Sequence, residues 1–327
     1  MSLIERAAAR LRQGETGSPG EENAAAGHRG TEPRTAIEAL ADRMAAEDSP
    51  SSAAPSTAAP VAAAPAPAAA STAPEVEIAP GTAPEPVRIQ LEALRARGMA
   101  VPTGAPTPAA HEFRIIKRPL LANAFGRSGQ QPARNGKRIM VTSALPGEGK
   151  SFCAINLALS IAAERDHGVI LVDADVSRPS IPRELGFEPR AGLMDWLIDG
   201  APDLSRLVLP TNIDTLSILP AGRHDEHATE LLASEAMGRL LAQLSERYPD
   251  CIVIFDSPPL LATTEARVLA SYMGQIVMVV EAGKTPRDAV TQALSTIESS
   301  EIVGLILNKA HKIESSGYYG GYGYASA

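Results

Sequence analysis

Cysteine is scarce in this 327-residue chain, which contains only Cys153 and Cys251. Both lie in apolar sequence, the first in a predicted helix and the second in a predicted strand. A disulfide framework or a cysteine metal site needs more cysteines at closer spacing. We therefore expect two small buried side chains in a reducing compartment.

Long apolar runs and an excess of basic residues are also lacking. No run approaches the roughly 18 consecutive apolar residues of a membrane span. The opening MSLIERAAARLRQ carries Glu5 and Arg6 where a secretory signal needs an uninterrupted apolar core. A net charge of −8 argues against nucleic acid as a bulk electrostatic partner. The sequence predicts a cytoplasmic protein whose ligand is a protein or a small anion.

Large apolar side chains are rare in about the first hundred residues, so little core can form there. Ala, Pro, Ser and Thr dominate residues 49–84, which is typical of a flexible spacer. We assign residues 15–110 to a largely disordered linker. Apolar residues at helical spacing predict one short amphipathic helix at 1–14 and a second at 86–97, and either could dock on a partner. Helices this short are marginal alone in water.

A folded domain is predicted over residues 111–313. From Ile139 onward, apolar strand patterns alternate with helical patterns. This alternation predicts an α/β fold with a doubly wound, mostly parallel sheet. Ligands of such sheets bind beyond the carboxyl ends of the strands, and the motifs described next fall at these ends.

The first motif is SALPGEGKS at residues 143–151, between a predicted strand and a predicted helix. Its glycines let backbone amides close around phosphate oxygens at a helix N-terminus, its lysine adds a charge, and its last serine can face magnesium. The usual GxxxxGK[ST] pattern has glycine where this chain has Ala144. The predicted nucleotide-binding residues are Pro146, Gly147, Glu148, Gly149, Lys150, Ser151 and Phe152.

Carboxylates end two further apolar strands. VILVDAD carries Asp173 and Asp175, which would project from the same side if the strand stays extended. IVIFD ends in Asp256, at the expected place for a carboxylate that holds magnesium through its water shell. Paired carboxylates here suit metal binding and proton removal.

Four of the six tyrosines lie in the last ten residues, in a Gly-rich segment that we assign as a tail at 314–327: Tyr318, Tyr319, Tyr322 and Tyr324. The segment lacks bulky apolar residues that would anchor it to a core. A nucleotide site followed by a tyrosine tail indicates phosphoryl transfer to tyrosine. The alternative interpretation of the tail is a low-complexity or aromatic stacking segment.

These motifs together resemble the bacterial tyrosine kinases, or BY-kinases, from about Glu112 to the C-terminus. The opening MSLIERAAARLRQ, EFRIIKRPLL, DADVSRPS and TELLASEAM resemble more closely the exosortase-associated, PEP-CTERM-locus tyrosine autokinases. The resemblance implies a P-loop NTPase fold of the MinD/ParA type. It also implies an ATP- and Mg²⁺-dependent autokinase that phosphorylates its own tail and regulates exopolysaccharide synthesis and export.

The resemblance also implies roles for residues. The matching positions give Lys150, Asp173 and Asp175 to catalysis, and Ser151, Asp175 and Asp256 to magnesium. One of Asp173 and Asp175 would be the base and the other a magnesium partner, and we choose Asp173 as the base. A tyrosine hydroxyl, with a pKa near 10, needs such a base or a metal at neutral pH. Asn308 is a candidate for reading the adenine edge, or alternatively a strand-capping asparagine.

Partners follow from the same resemblance. It implies a ring-like homo-oligomer with tail phosphorylation between copies, a separate inner-membrane activator of the chain-length-determinant type, and a phosphotyrosine phosphatase. The chain departs from the family pattern in two places. Ser177 stands where the family has arginine, with Arg178 next to it. The ring-forming ExxRxxR pattern aligns with His111, Arg114 and Lys117.

A second class of function stays open. The MinD and ParA group shares the fold and the aspartates, but binds nucleotide in order to dimerise and recruit partners. Its loop carries an additional lysine where this chain has Leu145, and the neutral tail here is unlike a basic membrane-binding tail. A catalytically silent scaffold that senses ATP is a third interpretation.

Overall fold

A computed structural model describes residues 84–126, 129, 131–164, 166–200, 203–297, 300 and 302–310. The helix predicted at 1–14, most of the predicted linker and the tail at 314–327 lie outside these residues.

The described residues form one seven-stranded sheet. Its strands are β1 (Arg138–Ser143), β2 (Gly168–Asp173), β3 (Leu209–Pro210), β4 (Leu216–Leu219), β5 (Cys251–Asp256), β6 (Gln275–Glu281) and β7 (Val303–Asn308). They are ordered β3-β4-β2-β5-β1-β6-β7. Neighbouring strands are parallel except for β3 and β4. The predicted doubly wound, mostly parallel sheet is confirmed.

Helices cover both faces of the sheet. They are α1 (Leu91–Ala96), α2 (Pro108–Phe125), α3 (Lys150–Ala162), α4 (Ile181–Leu185), α5 (Leu193–Ile198), α6 (Ala228–Ala233), α7 (Glu235–Arg247), α8 (Glu265–Ala270) and α9 (Arg287–Ser295). The residues from Ala228 to Arg247 form two helices, α6 and α7, because the backbone of Ser234 between them is extended, with ψ 162°. In α7, Met237, Leu240, Leu241 and Leu244 make one buried apolar stripe.

Alternate residues of the central strands β1, β2 and β5 face two separate cores. In β1, Met140 faces the core beneath α5 to α9, whereas Ile139 and Val141 face the core beneath α2 and α3. A strand buried on both faces reads as a continuous apolar run, as these strands do. Cys153 is buried in the second core, and Cys251 is half-buried at the start of β5; both are free thiols.

Residues 84–107, which we call the N-terminal strap, pack against this domain. The Val87 amide donates to the Pro210 carbonyl at 2.8 Å, beside β3. Ile89 and Asn212 exchange two hydrogen bonds of 2.8 and 3.1 Å. Leu94 is 2% exposed. The packed unit thus begins before residue 111, and the helix predicted at 86–97 is present only as α1.

The strap lies inside the predicted linker, because a single short helical pattern in Pro- and Ala-rich sequence is marginal by itself. The burial of its apolar residues depends on α3 and the β3 edge, which a local pattern does not include. Along the described ranges, no helix combines the length and the apolar character needed to cross a membrane.

Candidate active site

The phosphate-binding loop joins β1 to α3 in a left-handed backbone. Gly147 has φ +84° and Gly149 has φ +95°, a region that side chains other than glycine rarely occupy. A Cβ at Gly149 would also collide with Nδ2 of Asn308. Ala144 is fully buried, so the methyl group that replaces the usual glycine packs in the core. The loop therefore has the backbone form that phosphate binding requires.

The Glu148 side chain turns inward and supports this loop. It is 2% exposed. Its Oε2 accepts the Leu145 amide at 2.7 Å, and its Oε1 accepts the Thr285 hydroxyl and, at 3.5 Å, the Glu281 amide. What Glu148 can offer a phosphate is its backbone amide. Its carboxylate connects the loop to the end of β6.

The end of β7 supports the loop from the other side. Nδ2 of Asn308 donates to the Glu148 carbonyl at 2.9 Å, and Nζ of Lys309 donates to the Gly147 carbonyl at 2.7 Å. Lys309 also pairs with Glu281 at 3.1 Å. In this structure the Asn308 amide holds the loop, and adenine recognition stays a prediction. Sequence analysis missed Lys309, Thr285 and Glu281, since no local motif marks them.

Lys150 lies at the centre of the site, at the start of α3. Its Nζ is 2.7 Å from Oδ2 of Asp175, 3.7 Å from Oδ1 of Asp256 and 3.3 Å from Oγ of Ser151. Burial lowers the pKa of Lys150, but the neighbouring Asp256 and Asp175 carboxylates raise it by more, so its pKa lies above the ordinary value. The lysine is charged and points at two carboxylates where phosphates would bind.

Asp256 has the properties of a magnesium partner. It is fully buried at the end of β5, its Oδ1 is 3.7 Å from Nζ of Lys150, and the hydroxyls of Ser151 and Ser180 lie close enough to favour its charged form. Burial raises its pKa to about 6, although the Lys150 charge opposes this. Carboxylate and hydroxyl oxygens are the groups that magnesium and its bound waters contact, so the predicted metal set of Ser151, Asp175 and Asp256 fits Mg²⁺.

Across the residues that the structure describes, no three His, Cys, Asp or Glu side chains form a metal-binding group by themselves.

Asp173 and Asp175 have different partners. Strand β2 ends at Asp173, so the extended backbone assumed for the pair does not continue to Asp175. Oδ2 of Asp173 accepts the amides of Ser180 and Ile181 at 3.0 and 2.9 Å, and its buried Oδ1 has no hydrogen-bond partner among the described residues. Burial raises the pKa of Asp173 to about 7, the Asp256 charge adds to this, and the two amides oppose it.

The structure shows where the residues of the two departures from the family pattern lie. The Arg178 amide donates to Oδ1 of Asp175 at 3.2 Å, while its side chain is exposed. On α2, His111 and Arg114 are exposed, but Lys117 is 3% exposed and contacts α3 through the Ser160 carbonyl at 2.5 Å. Lys117 therefore supports the fold and does not face outward with the other two.

Of the remaining predicted nucleotide residues, Pro146 and Gly147 are exposed at the tip of the loop. Phe152 is half-buried against the core beneath α2 and α3. The predicted site residues Lys150, Ser151, Asp175 and Asp256 come together, and Asp173 lies beside them at the end of β2.

This chain is similar in sequence and fold to known proteins. The family model described as ParA, NUBPL iron-transfer P-loop NTPase, matches residues 135–316. The tyrosine-protein kinase YwqD of Bacillus subtilis (strain 168) is 34% identical over 191 residues, which are 57% of this chain and 79% of YwqD. The chain belongs to the bacterial tyrosine kinases. The match to a ParA-type P-loop NTPase model agrees with the mostly parallel sheet of the structure.

Other kinases and relatives define the extent of the similarity. The crystal structure of the VpsO kinase domain is 28% identical, with a TM-score of 0.51, and the match covers 62% of this chain and 96% of that domain. The succinoglycan biosynthesis transport protein ExoP of Rhizobium meliloti (strain 1021) is 35% identical over 185 residues, 55% of this chain. The matched part is 23% of ExoP, so the chain corresponds to less than a quarter of that protein.

Proposed function

We propose that this bacterial tyrosine kinase is an ATP-dependent autokinase that phosphorylates its own tail, at Tyr318, Tyr319, Tyr322 and Tyr324. The observation that carries the proposal is the position of the Lys150 ammonium, 2.7 Å from Asp175 and 3.7 Å from Asp256 at the end of the phosphate loop. Phosphoryl transfer needs positioning and charge neutralisation more than covalent help from the protein. These residues supply both.

Each residue has a defined task in this proposal. The loop amides and Lys150 hold the phosphates in line with the acceptor. Ser151, Asp175 and Asp256 would hold Mg²⁺, which neutralises charge on the phosphates when bound. The tyrosine oxygen bonds to the γ-phosphorus as the bond to the bridging oxygen breaks, and ADP leaves.

The proton of the tyrosine hydroxyl passes to a carboxylate. We assign this role to Asp173, because Asp175 is already paired with the Lys150 ammonium at 2.7 Å. Oδ1 of Asp173 has no hydrogen-bond partner in the part of the chain that the structure describes. A carboxylate oxygen without a donor is the better proton acceptor.

A first test replaces Lys150. Lys150→Ala should abolish phosphotyrosine in the purified chain incubated with ATP and Mg²⁺, because phosphate charge is no longer neutralised. A matched control is Lys137→Ala, at the opposite end of β1, whose Nζ contacts the Pro249 carbonyl at 2.5 Å. Circular dichroism should show that both variants are folded.

Wild-type labelling in a folded Lys150→Ala chain would overturn the assignment. Nucleotide-dependent dimerisation without any phosphotyrosine in the wild type would instead favour the regulatory ATPase of the MinD/ParA kind.

We infer that transfer runs between copies in a ring-like homo-oligomer. The first tail tyrosine follows β7 by about ten residues, a tether of at most roughly 35 Å. In the sheet order, β6, β1 and β5 separate β7 from β2, where Asp173 lies. That span is roughly 20 Å, which this tether could also cover. The inference therefore rests on the assembly that the resemblance implies. Helix α2 offers a surface for assembly, with Ile115 63% exposed beside the exposed Arg114.

Mixing two variants tests this route. A Lys150→Ala chain with an intact tail should become phosphorylated by an active chain whose four tail tyrosines are changed to Phe. Several phosphates packed at an interface repel, so labelling should also loosen the assembly, measured by sedimentation. If the inactive chain stays unlabelled while the wild type labels itself at a concentration-independent rate, transfer occurs within one chain.

The cellular role is proposed from the relatives. ExoP is named for succinoglycan biosynthesis and transport, and we propose that this kinase likewise regulates exopolysaccharide synthesis and export. It would work at the cytoplasmic face of the inner membrane, recruited and activated by a separate chain-length-determinant-type protein, and be reset by a phosphotyrosine phosphatase. Membership of the exosortase-associated subgroup is part of the same proposal.

A further inference from the structure

Two consecutive carbonyls of the phosphate loop accept hydrogen bonds from the end of β7. Nδ2 of Asn308, the last residue of that strand, donates to the Glu148 carbonyl at 2.9 Å. Nζ of Lys309, the next residue, donates to the Gly147 carbonyl at 2.7 Å. We call these two contacts the carbonyl clamp. It holds two neighbouring peptide groups of the loop, the one between residues 147 and 148 and the one between residues 148 and 149.

The carbonyl clamp determines where two loop amides point. A peptide group is planar and trans, so its N–H points away from its C=O. Because the Gly147 carbonyl is held by Lys309, the Glu148 amide points to the opposite side. The Glu148 carbonyl, held by Asn308, directs the Gly149 amide in the same way. Within the described residues neither amide has a hydrogen-bond acceptor. Free amides just before a helix are the donors that phosphate oxygens require.

Gly149 leaves the space that the carbonyl clamp needs. A Cβ at this position would collide with Nδ2 of Asn308, whereas a Cβ at Gly147 would meet no atom within 4 Å. The φ of Gly149, +95°, is in addition one that other residues rarely adopt. The glycine before Lys150 therefore serves the approach of Asn308 as well as the turn of the backbone.

Lys309 has an unfavourable backbone conformation. Its φ is +56°, in the left-handed region that side chains other than glycine usually avoid. Such a conformation persists where the surrounding contacts determine it, and it is frequent at functional sites. Nζ of Lys309 is 3.1 Å from Oε2 of Glu281, and the Asn308 carbonyl accepts the Ala282 amide at 2.9 Å. Contacts with the end of β6 and with the loop thus hold the left-handed residue on both sides.

We propose that Asn308 and Lys309 are positioning residues for phosphate binding, which act by turning the Glu148 and Gly149 amides toward the phosphates. They act in the same way whichever base the nucleotide carries. This role of Asn308 differs from the adenine contact that the resemblance implies. The inference rests on the nucleotide site of the proposed autokinase and adds to it two residues that lie outside the loop motif.

The test uses inorganic tripolyphosphate with Mg²⁺ as the probe, because it has a chain of three phosphates and no base. Isothermal titration calorimetry measures its affinity for the full chain. Asn308→Ala and Lys309→Met should each weaken the binding of tripolyphosphate about tenfold, since each leaves one loop peptide without its donor. Asn308→Ala removes no charge, so its effect does not come from weaker electrostatic attraction.

Lys284→Met is the matched control for Lys309→Met. Lys284 pairs with the same Oε2 of Glu281, at 3.3 Å, and its side chain is 73% exposed. Its hydrogen bonds within the described residues are with Glu281 and not with the loop. The control should keep the wild-type affinity for tripolyphosphate. Circular dichroism should show that all three variants are folded.

Titrations with ATP and GTP distinguish positioning from base recognition. Under the proposal, Asn308→Ala weakens ATP, GTP and tripolyphosphate by a similar factor, so the ratio of the ATP and GTP affinities stays that of the wild type. Wild-type affinity for tripolyphosphate combined with a changed ratio would overturn the proposal and assign Asn308 to the base.

The outcomes separate this inference from the proposed function. If folded Asn308→Ala and Lys309→Met chains bind tripolyphosphate as tightly as the wild type, the carbonyl clamp does not position the amides, and the kinase assignment stands. If Lys284→Met loses as much affinity as Lys309→Met, local charge explains the loss and the role of Lys309 is wrong. If the wild type binds tripolyphosphate but forms no phosphotyrosine, the autokinase proposal fails, and the affinities of the variants still decide whether the clamp acts.

Discussion

Asp173 and Asp256 are both fully buried. Among the described residues, the shortest ion-pair contact of either carboxylate is the 3.7 Å between Asp256 and Lys150. Burial raises the pKa of Asp173 to about 7 and that of Asp256 to about 6. A buried carboxylate is costly when ionised, so the protein is less stable with these groups charged. This cost is expected of carboxylates that bind a cation or accept a proton, because either event neutralises the buried negative charge.

The cost should appear in the pH dependence of stability. The pKa of Asp173 is raised in the folded state, so its stabilising contribution is complete below about pH 4 and is lost as pH rises through about 7. We expect Asp173→Asn to be more stable than the wild type at pH 8, by about 1–4 kcal/mol. At pH 4 the advantage should be lost.

The measurement is urea unfolding of both chains across this pH range, with EDTA present and without nucleotide. Comparing variant with wild type removes the contribution of the carboxylates that do not interact with Asp173, whereas the repulsion between Asp173 and Asp256 is part of the measured difference. An equal difference at every pH would show that Asp173 does not change its charge state on folding in this range.

At the scale of elements, the phosphate loop is supported from two neighbouring strand ends. Glu148 is connected to the end of β6 through the Thr285 hydroxyl, and Asn308 connects the loop to the end of β7. Thr285 also accepts the Glu281 amide at 3.1 Å. The conformation of the loop therefore depends on β6 and β7 as well as on its own glycines.

Thr285→Val should loosen this support. It removes a donor to the Glu148 carboxylate, which is 2% exposed, and leaves that carboxylate with poorly satisfied oxygens. We expect a loss of about 1–3 kcal/mol in the free energy of unfolding and weaker binding of a fluorescent ATP analogue. The control is Thr291→Val on α9, whose exposed hydroxyl donates to the Arg287 carbonyl at 3.1 Å. If both variants bind nucleotide equally well, the connection to β6 does not hold the loop in its binding form.

At the scale of the whole molecule, the N-terminal strap belongs to the kinase domain. Met99 is 1% exposed, and the Ala100 amide donates to the buried Asn156 of α3 at 2.7 Å. Removing the strap would expose apolar surface of α3 and leave Oδ1 of Asn156 without this donor. The compact unit is therefore larger than the resemblance, which begins at about Glu112.

Two shortened chains test this boundary. A chain that begins at residue 84 should keep the unfolding midpoint of the full chain. A chain that begins at residue 111 should unfold several degrees lower or aggregate, because it loses the buried Leu94 and Met99; each core side chain of this kind contributes about 2–5 kcal/mol. Thermal unfolding followed by circular dichroism compares them. Equal midpoints would show that the strap adds nothing to stability.

Much of the site could be read from local sequence. SALPGEGKS predicts the phosphate loop, since glycine spacing and a following helix are properties of neighbouring residues. Asp173 and Asp256 were predicted at the ends of strands because an apolar run followed by a carboxylate needs no knowledge of the rest of the fold. The parallel sheet followed from the alternation of the two patterns, and it brought these carboxylates to one edge.

Other properties were decided only by tertiary structure. Glu148 and Thr285 share a hydrogen bond although they are 137 residues apart. The amides that donate to Asp173 follow a turn whose path the local sequence does not determine. The strap is buried by the β3 edge and α3, although its own composition resembles the linker. The physical reason is the same in each case: local spacing determines strands, helices and the phosphate loop. Burial, pairing and the carbonyl clamp depend on which distant elements come into contact when the sheet is assembled.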